Sequence, residues 1–109
     1  MSRAKPRDDK AIHAAARARS DASDSELFAA MSAGNLTALG VLYDRHHSSI
    51  RRFILRASAG GQDTEDLVHD VFLTASRVAG TYDDRAGSRP FLLGIAANIV
   101  RSRRQKQAR

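Results

Sequence analysis

Large apolar residues recur along most of this chain at steps of three and four, the spacing that stacks side chains on one side of an α-helix, and no stretch alternates as a half-buried strand would. Four segments carry the pattern. The first opens at Ser23-Asp24-Ser25-Glu26, where a capping serine is followed three residues on by a glutamate that can reach back to it. Leu27, Phe28 and Met31 form its buried side, up to Gly34. Gly34-Asn35 supplies both the stop of that helix and the cap of a longer one. In the second helix Leu36, Leu39, Tyr43, Ile50, Phe53, Ile54 and Ala57 keep helical spacing, and His46 and His47 fill the gap in the stripe. Arg45, Arg51, Arg52 and Arg56 fall largely off it, so the outer surface is basic. The run Ser58-Ala59-Gly60-Gly61 ends the helix.

From Asp63 to Tyr82 a third helix is predicted, with Leu67, Val71, Ala75 and Val78 as its buried stripe and Asp66, His69 and Asp70 crowding one end of another side. Asp63 is expected to cap it, and Glu65 and Asp66 suit the positive end of its dipole. A polar loop with one aromatic residue, Tyr82, leads to a last helix starting near Arg89-Pro90. There Phe91, Leu92, Leu93, Ile95, Ala96, Ala97, Ile99 and Val100 are apolar nearly all round, which predicts burial on several sides before the chain turns into RSRRQKQAR. The predicted class is all-α: a compact bundle of about three long helices and one short one, over roughly 24–33, 35–58, 63–80 and 89–105. Residues 1–22 offer little beyond Ile12 to bury, so they are expected to be a flexible basic arm ahead of a domain at 23–109.

Composition adds a direction. A chain of 109 residues with 42% hydrophobic content supports one domain of modest core. Its 18 Lys and Arg against 12 Asp and Glu give a net charge of +6, and from Ile99 onward there are five basic residues and no acidic one, so a polyanionic partner is favoured. The absence of cysteine rules out disulfides and thiolate metal sites and suits a reducing cytoplasm. Neither a secretory signal core nor a run of about 20 apolar residues is present, so the protein is expected to be soluble and cytoplasmic, without membrane insertion.

Two constellations point away from chemistry. His46, His47 and His69 lack the cysteine or carboxylate partners to close a tetrahedral site, and adjacent helical residues point about 100° apart, so no metal is expected. Asp66 and Asp70 beside His69 come with no nucleophile, phosphate-binding glycine loop or cofactor signature, which predicts neither catalysis nor a cofactor. A carboxylate pair one turn apart can instead offer charge-assisted hydrogen bonds to arginines of a partner. The same residues would also be explained if Asp66 only answered the helix dipole and Asp70 only paired with a neighbouring arginine.

Taken in order, DTEDLVHDVFLTASRV, the loop containing Tyr82, and RPFLLGIAANIVRSRR resemble the second conserved region of bacterial sigma factors, particularly the extracytoplasmic-function type. In that family D-x-x-D-L-V-Q-[DE]-x-F-L precedes an aromatic residue, a variable loop and R-x-W-L-x-x-I-A-x-N. The resemblance covers roughly Ser25 to Arg104, with Phe91 in place of the usual Trp and His69 in place of the frequent Gln. No segment matches the fourth-region helix-turn-helix of the family, so the chain is expected to be a piece of a longer protein rather than a naturally short relative.

The resemblance implies a promoter −10 recognition and melting domain. It implies that Asp66, His69 and Asp70, with Phe72 and Leu73 as apolar additions, contact the clamp helices of the RNA polymerase β′ subunit. It implies that the loop from Tyr82 to Ser88, together with Asn98, holds the non-template strand with one base flipped out. Arg101, Arg103, Arg104 and Lys106 would face phosphates, Arg85 and Arg89 are comparable candidates, and an anti-sigma factor is a further expected partner. Two plainer readings stay open: Asn98 as a buried amide bonded to backbone, and Tyr82 as the last core residue of its helix. The rival to the whole assignment is a small basic helical module, unrelated to sigma factors, that binds DNA or protein.

Overall fold

The computed structural model describes residues 21–58 and 63–108, so the expected arm over 1–22 and the reversal at Gly60-Gly61 lie almost wholly outside the described residues. Ala22 already packs on the core. Four α-helices follow: α1 (Asp24–Ser32), α2 (Leu36–Ala57), α3 (Thr64–Arg77) and α4 (Ser88–Ala108), with a short 3₁₀ turn (Ala79–Thr81) after α3. The all-α class is as the periodicity predicts.

Local chemistry accounts for the start of the fold. The Glu26 amide donates to Ser23 Oγ at 3.0 Å and the Ser23 amide donates to Glu26 Oε1 at 2.8 Å, completing the reciprocal cap. Gly34 then takes a φ of 96°, a left-handed conformation that a β-carbon disfavours, and Asn35 Oδ1 caps α2 by accepting from the Ala38 amide at 3.2 Å. The α1–α2 junction is therefore short and fixed.

Packing departs from the sequence reading at several points. In α2 the buried residues are Ala38, Val41, Leu42, Ile50 and Ile54, whereas Leu36 is 73% exposed. The apolar stripe runs on past what the neighbouring helices cover. In α3 the buried face also takes in Val68 and Phe72, so Phe72, at 2% exposed, is a core residue. Asp63 makes no capping bond; its carboxylate is drawn across to Arg103 instead, with Nη1 donating to Oδ2 at 3.0 Å. The α-helical part stops at Arg77, leaving Val78 half-buried. The chain then tightens, with the Thr81 hydroxyl and amide both bonding Val78 O.

Helix α4 begins at Ser88 and runs to Ala108, longer than expected. Only Leu92, Ala96 and Val100, at steps of four, are fully buried; Phe91, Leu93, Ile95 and Ile99 are partly covered. Burial is thus along one stripe, because α4 packs on α2 and α3 and leaves its outer side open. It runs alongside the second half of α2: Arg89 Nη2 donates to Ser49 Oγ at 2.7 Å near its start, and Arg104 shares a small cleft with Ser58 near its end. Among the described residues no helix is long and apolar enough to cross a membrane.

Candidate functional site

The loop between the 3₁₀ turn and α4 is tied down at both ends. At its start Tyr82 stacks on Phe28 with ring centroids 4.1 Å apart, and Phe91 meets both rings edge-on, at 5.2 Å from Phe28 and 5.3 Å from Tyr82. The Tyr82 hydroxyl donates to Asp84 Oδ1 at 3.0 Å. Burial, then that hydrogen bond and the nearby charges of Asp84, Asp24 and Asp83, push the phenol up to about 12. Phe28 occupies one face of the half-buried Tyr82 ring, so the side chain supports the loop in the way the core reading expects.

At the far end Gly87 has a φ of 91° and Ser88 Oγ donates to Asp24 Oδ2, joining the start of α4 to the start of α1. Asp24 also accepts from Arg45 Nη1 at 3.0 Å and from His46 Nε2 at 2.7 Å. Burial of this carboxyl raises its pKa, but the bonds from Ser88 and His46, the His46 charge and the Arg45 bond outweigh that, and the net is below the usual 3.8. Between these anchors Asp83 accepts the Arg85 amide at 2.9 Å and its guanidinium Nη2 at 2.9 Å. That pair holds Asp83 low and Arg85 high, and it folds the highly exposed Arg85 back onto its own loop.

Asn98 lies on the outer side of α4, about two turns beyond Phe91. It is exposed, which removes the buried-amide reading; its Oδ1 accepts from Arg101 Nη1 at 3.0 Å, and its own NH₂ has no described partner. Arg104 and Lys106 are exposed and form no ion pair with a described residue. Arg103 does not join them. It reaches inward to Asp63 at 3.0 Å and to Asp70 at 3.7 Å, stapling the end of α4 to the start of α3, because position 103 continues the Leu92-Ala96-Val100 stripe.

On α3, Asp66, His69 and Asp70 are all exposed and share one side. Asp70 has the neighbouring arginine that the plainer reading required, whereas Asp66 pairs with no described residue. Beside them an apolar groove of about 430 Å³ opens between α2 and α3, lined by Leu36, Leu39, Tyr43, His69 and Leu73, with Phe72 at its floor. Leu73 is 52% exposed here, on the surface as expected. Sequence reading missed the α2 half of this groove. The signal was present: the first half of α2 carries two apolar stripes, Ala38-Val41-Leu42 and Leu36-Leu39-Tyr43, more than one core face requires. The other two α2 histidines are engaged locally, His46 with Asp24 and His47 through Nδ1 with Tyr43 O at 3.1 Å.

Comparison with known proteins matches the sigma-70 region 2 family to residues 42–109. The ECF RNA polymerase sigma factor SigM of Mycobacterium tuberculosis (strain ATCC 25618 / H37Rv) is 36% identical over 90 residues, covering 81% of this chain and 46% of the relative. The ECF RNA polymerase sigma factor BldN of Streptomyces coelicolor is 34% identical over 76 residues, covering 69% of this chain and 29% of the relative. The chain thus spans less than half the length of these relatives. No solved structure gave a significant match.

Proposed function

The chain belongs to the sigma-70 region 2 family, in its extracytoplasmic-function branch, and on that premise we propose that it is the promoter −10 recognition and melting domain of an RNA polymerase sigma factor. It works by binding and not by catalysis. The observation that carries this reading is Asn98: an exposed amide on a helix without a single acidic residue, into which leads a loop held at both ends. An amide offers a donor and an acceptor to a base edge together, and capture of an unstacked base on one strand draws the equilibrium from duplex to open strand. Arg101, already bonded to Asn98 Oδ1, orients that amide, while Arg89, Arg104 and Lys106 supply positive charge for the backbone.

The α3 side is the proposed contact for polymerase core. His69 lines an apolar groove and Asp66 and Asp70 are exposed on the same helix, so a β′ clamp helix with arginines on one edge and aliphatic residues on the next finds both charge and apolar complements. An anti-sigma factor covering these surfaces would compete with both partners.

Fluorescence anisotropy with the non-template −10 oligonucleotide and with its complement tests the DNA half. The non-template strand is expected to bind more tightly, and Asn98→Ala to weaken it roughly tenfold, the worth of about 1–3 kcal/mol for a good base-edge pair. Equal affinity for both strands would overturn the reading. For the polymerase half, Asp66→Ala/Leu73→Ser is expected to reduce capture by isolated β′ clamp helices at least about tenfold, by analogy with interface truncations of 1–2 kcal/mol each. Unchanged capture would refute this contact face; both residues are exposed, so the fold should be unaffected.

A further inference from the structure

We propose that Arg103 of α4 belongs to the polymerase-facing surface of α3 as an internal competitor: its guanidinium stands beside Asp70, and a partner's arginine engages that carboxylate only against it. This inference rests on the proposed contact of α3 with polymerase core and deepens it, by naming what limits one of its contacts.

The geometry starts from the turn of α3. At about 100° per residue, His69, Leu73, Asp66 and Asp70 follow one another round the exposed side of the helix within about 100°. His69 and Leu73 line the groove towards α2. Asp70 is at the opposite edge, the one that meets α4, and there Arg103 reaches it. The guanidinium lies between two carboxylates, with Nη1 3.0 Å from Asp63 Oδ2 and Nη2 3.7 Å from Asp70 Oδ2. Leu67 and Val100, both buried, line a small cleft with Arg103 and give its aliphatic stem an apolar bed.

The two contacts are unequal, and that inequality carries the inference. At 3.0 Å Arg103 is hydrogen-bonded to Asp63; at 3.7 Å it is an ion-pair neighbour of Asp70, beyond hydrogen-bond reach. Asp63 thus holds the guanidinium, while Asp70, with half of its side chain exposed, feels the charge and keeps its oxygens open to a donor. An incoming arginine can make two parallel bonds to Asp70, but it does so against a like charge close by. Asp66, one turn earlier, pairs with no described residue and has no such opponent. Of the two carboxylates Asp66 is therefore the stronger contact. The plainer reading of Asp70, as the partner of a neighbouring arginine, and its reading as a polymerase contact then describe the same atoms in the free and in the bound protein.

The test is capture of isolated β′ clamp helices by the 109-residue chain at low salt, about 0.05 M, with the urea midpoint of each variant measured alongside. Arg103→Met keeps an aliphatic cover over Leu67 and Val100 but removes the charge, and it is expected to raise capture about threefold, the scale of an exposed ion pair. The rise should be absent when Asp70→Asn is already in place, and should vanish at about 1 M salt, where the screening length is about 3 Å. Asp63→Asn works in the opposite sense. The guanidinium loses its charged holder, moves onto Asp70 and lowers capture about twofold, and that fall should disappear when Arg103→Met is added. A staple with only a structural role predicts otherwise, since breaking it from either end would lower capture alike. Unchanged or reduced capture by Arg103→Met at an unchanged urea midpoint overturns the proposal, as does a rise that persists with Asp70→Asn. If Arg103→Met lowers the midpoint, Asp63→Asn decides, and unchanged or increased capture by that variant overturns the proposal. A failure of the polymerase reading looks different: Asp66→Ala/Leu73→Ser then captures the clamp helices as well as the wild type does.

Discussion

Truncating Phe28 to alanine will cost the domain about 3–5 kcal/mol, a large fraction of the roughly 5–15 kcal/mol that holds a small domain together. Phe28 is 1% exposed, and its ring is covered by Tyr82 on one face and by the edge of Phe91. Removing it deletes apolar burial and also leaves a void bounded by two aromatic rings that are joined to different elements, so neither can collapse inward alone. Urea denaturation should show the midpoint falling by about 1.5–5 M for a domain whose urea slope is about 1–2 kcal/mol per M. Phe28→Leu keeps most of the volume and is expected to lose only about 1–2 kcal/mol, the part that belongs to ring geometry and imperfect fit. If the alanine variant lost less than the leucine variant, the ring cluster would not be the anchor described.

Asp24→Ala should cost about 2–3 kcal/mol near neutral pH, because it strips a charged acceptor from Ser88, His46 and Arg45 at once and leaves half-buried donors unsatisfied. The pH profile gives a sharper signature than the magnitude. The Asp24 carboxyl lies below 3.8 in the folded protein, so the unfolded chain binds the proton more readily. Its contribution is therefore complete above 3.8 and is lost as pH falls through the lower folded value. The stability gap between wild type and Asp24→Asn should be constant above about pH 5 and close as the solution is acidified below about pH 4. A gap that instead widened with acid would contradict the hydrogen-bonded, ionised carboxylate. Beyond stability, both substitutions free one end of the loop, so strand preference should fall along with it.

Much of the fold was legible because its signals are local. Ser23 with Glu26 and Gly34 with Asn35 each act within a few residues, and α1 begins and ends, and α2 begins, close to them. What misled was chemistry decided by distant partners. Asp63 has the residue type and position of a cap, but a guanidinium forty residues away competes for its carboxylate. Arg103 belongs to a basic run by sequence and to the core edge by phase. Phe72 and Leu73 are adjacent and equally apolar, and only the 100° step between them, set against where α2 lies, makes one a core residue and the other a surface. Leu36 repeats the lesson in reverse: periodicity gives the face of a helix, whereas the extent of its cover depends on its neighbours. At the site, Asn98 and the two acidic α3 positions sit on accessible surfaces, and the stacking of the loop tyrosine on Phe28 depends on a residue far away in the chain.

Phe28 and Asp24 lie four residues apart, on one side of the nine-residue α1, and between them they hold both ends of the loop that leads into α4. A segment so short, fixed at each end, has lost most of its conformational freedom before any DNA arrives. Ordering such a loop on binding would otherwise cost about 0.5–1.5 kcal/mol for each immobilised side chain, together with the backbone. The shortest α-helix among the described residues, which belongs to neither proposed contact face, thereby sets how little entropy remains to be lost when a base is captured.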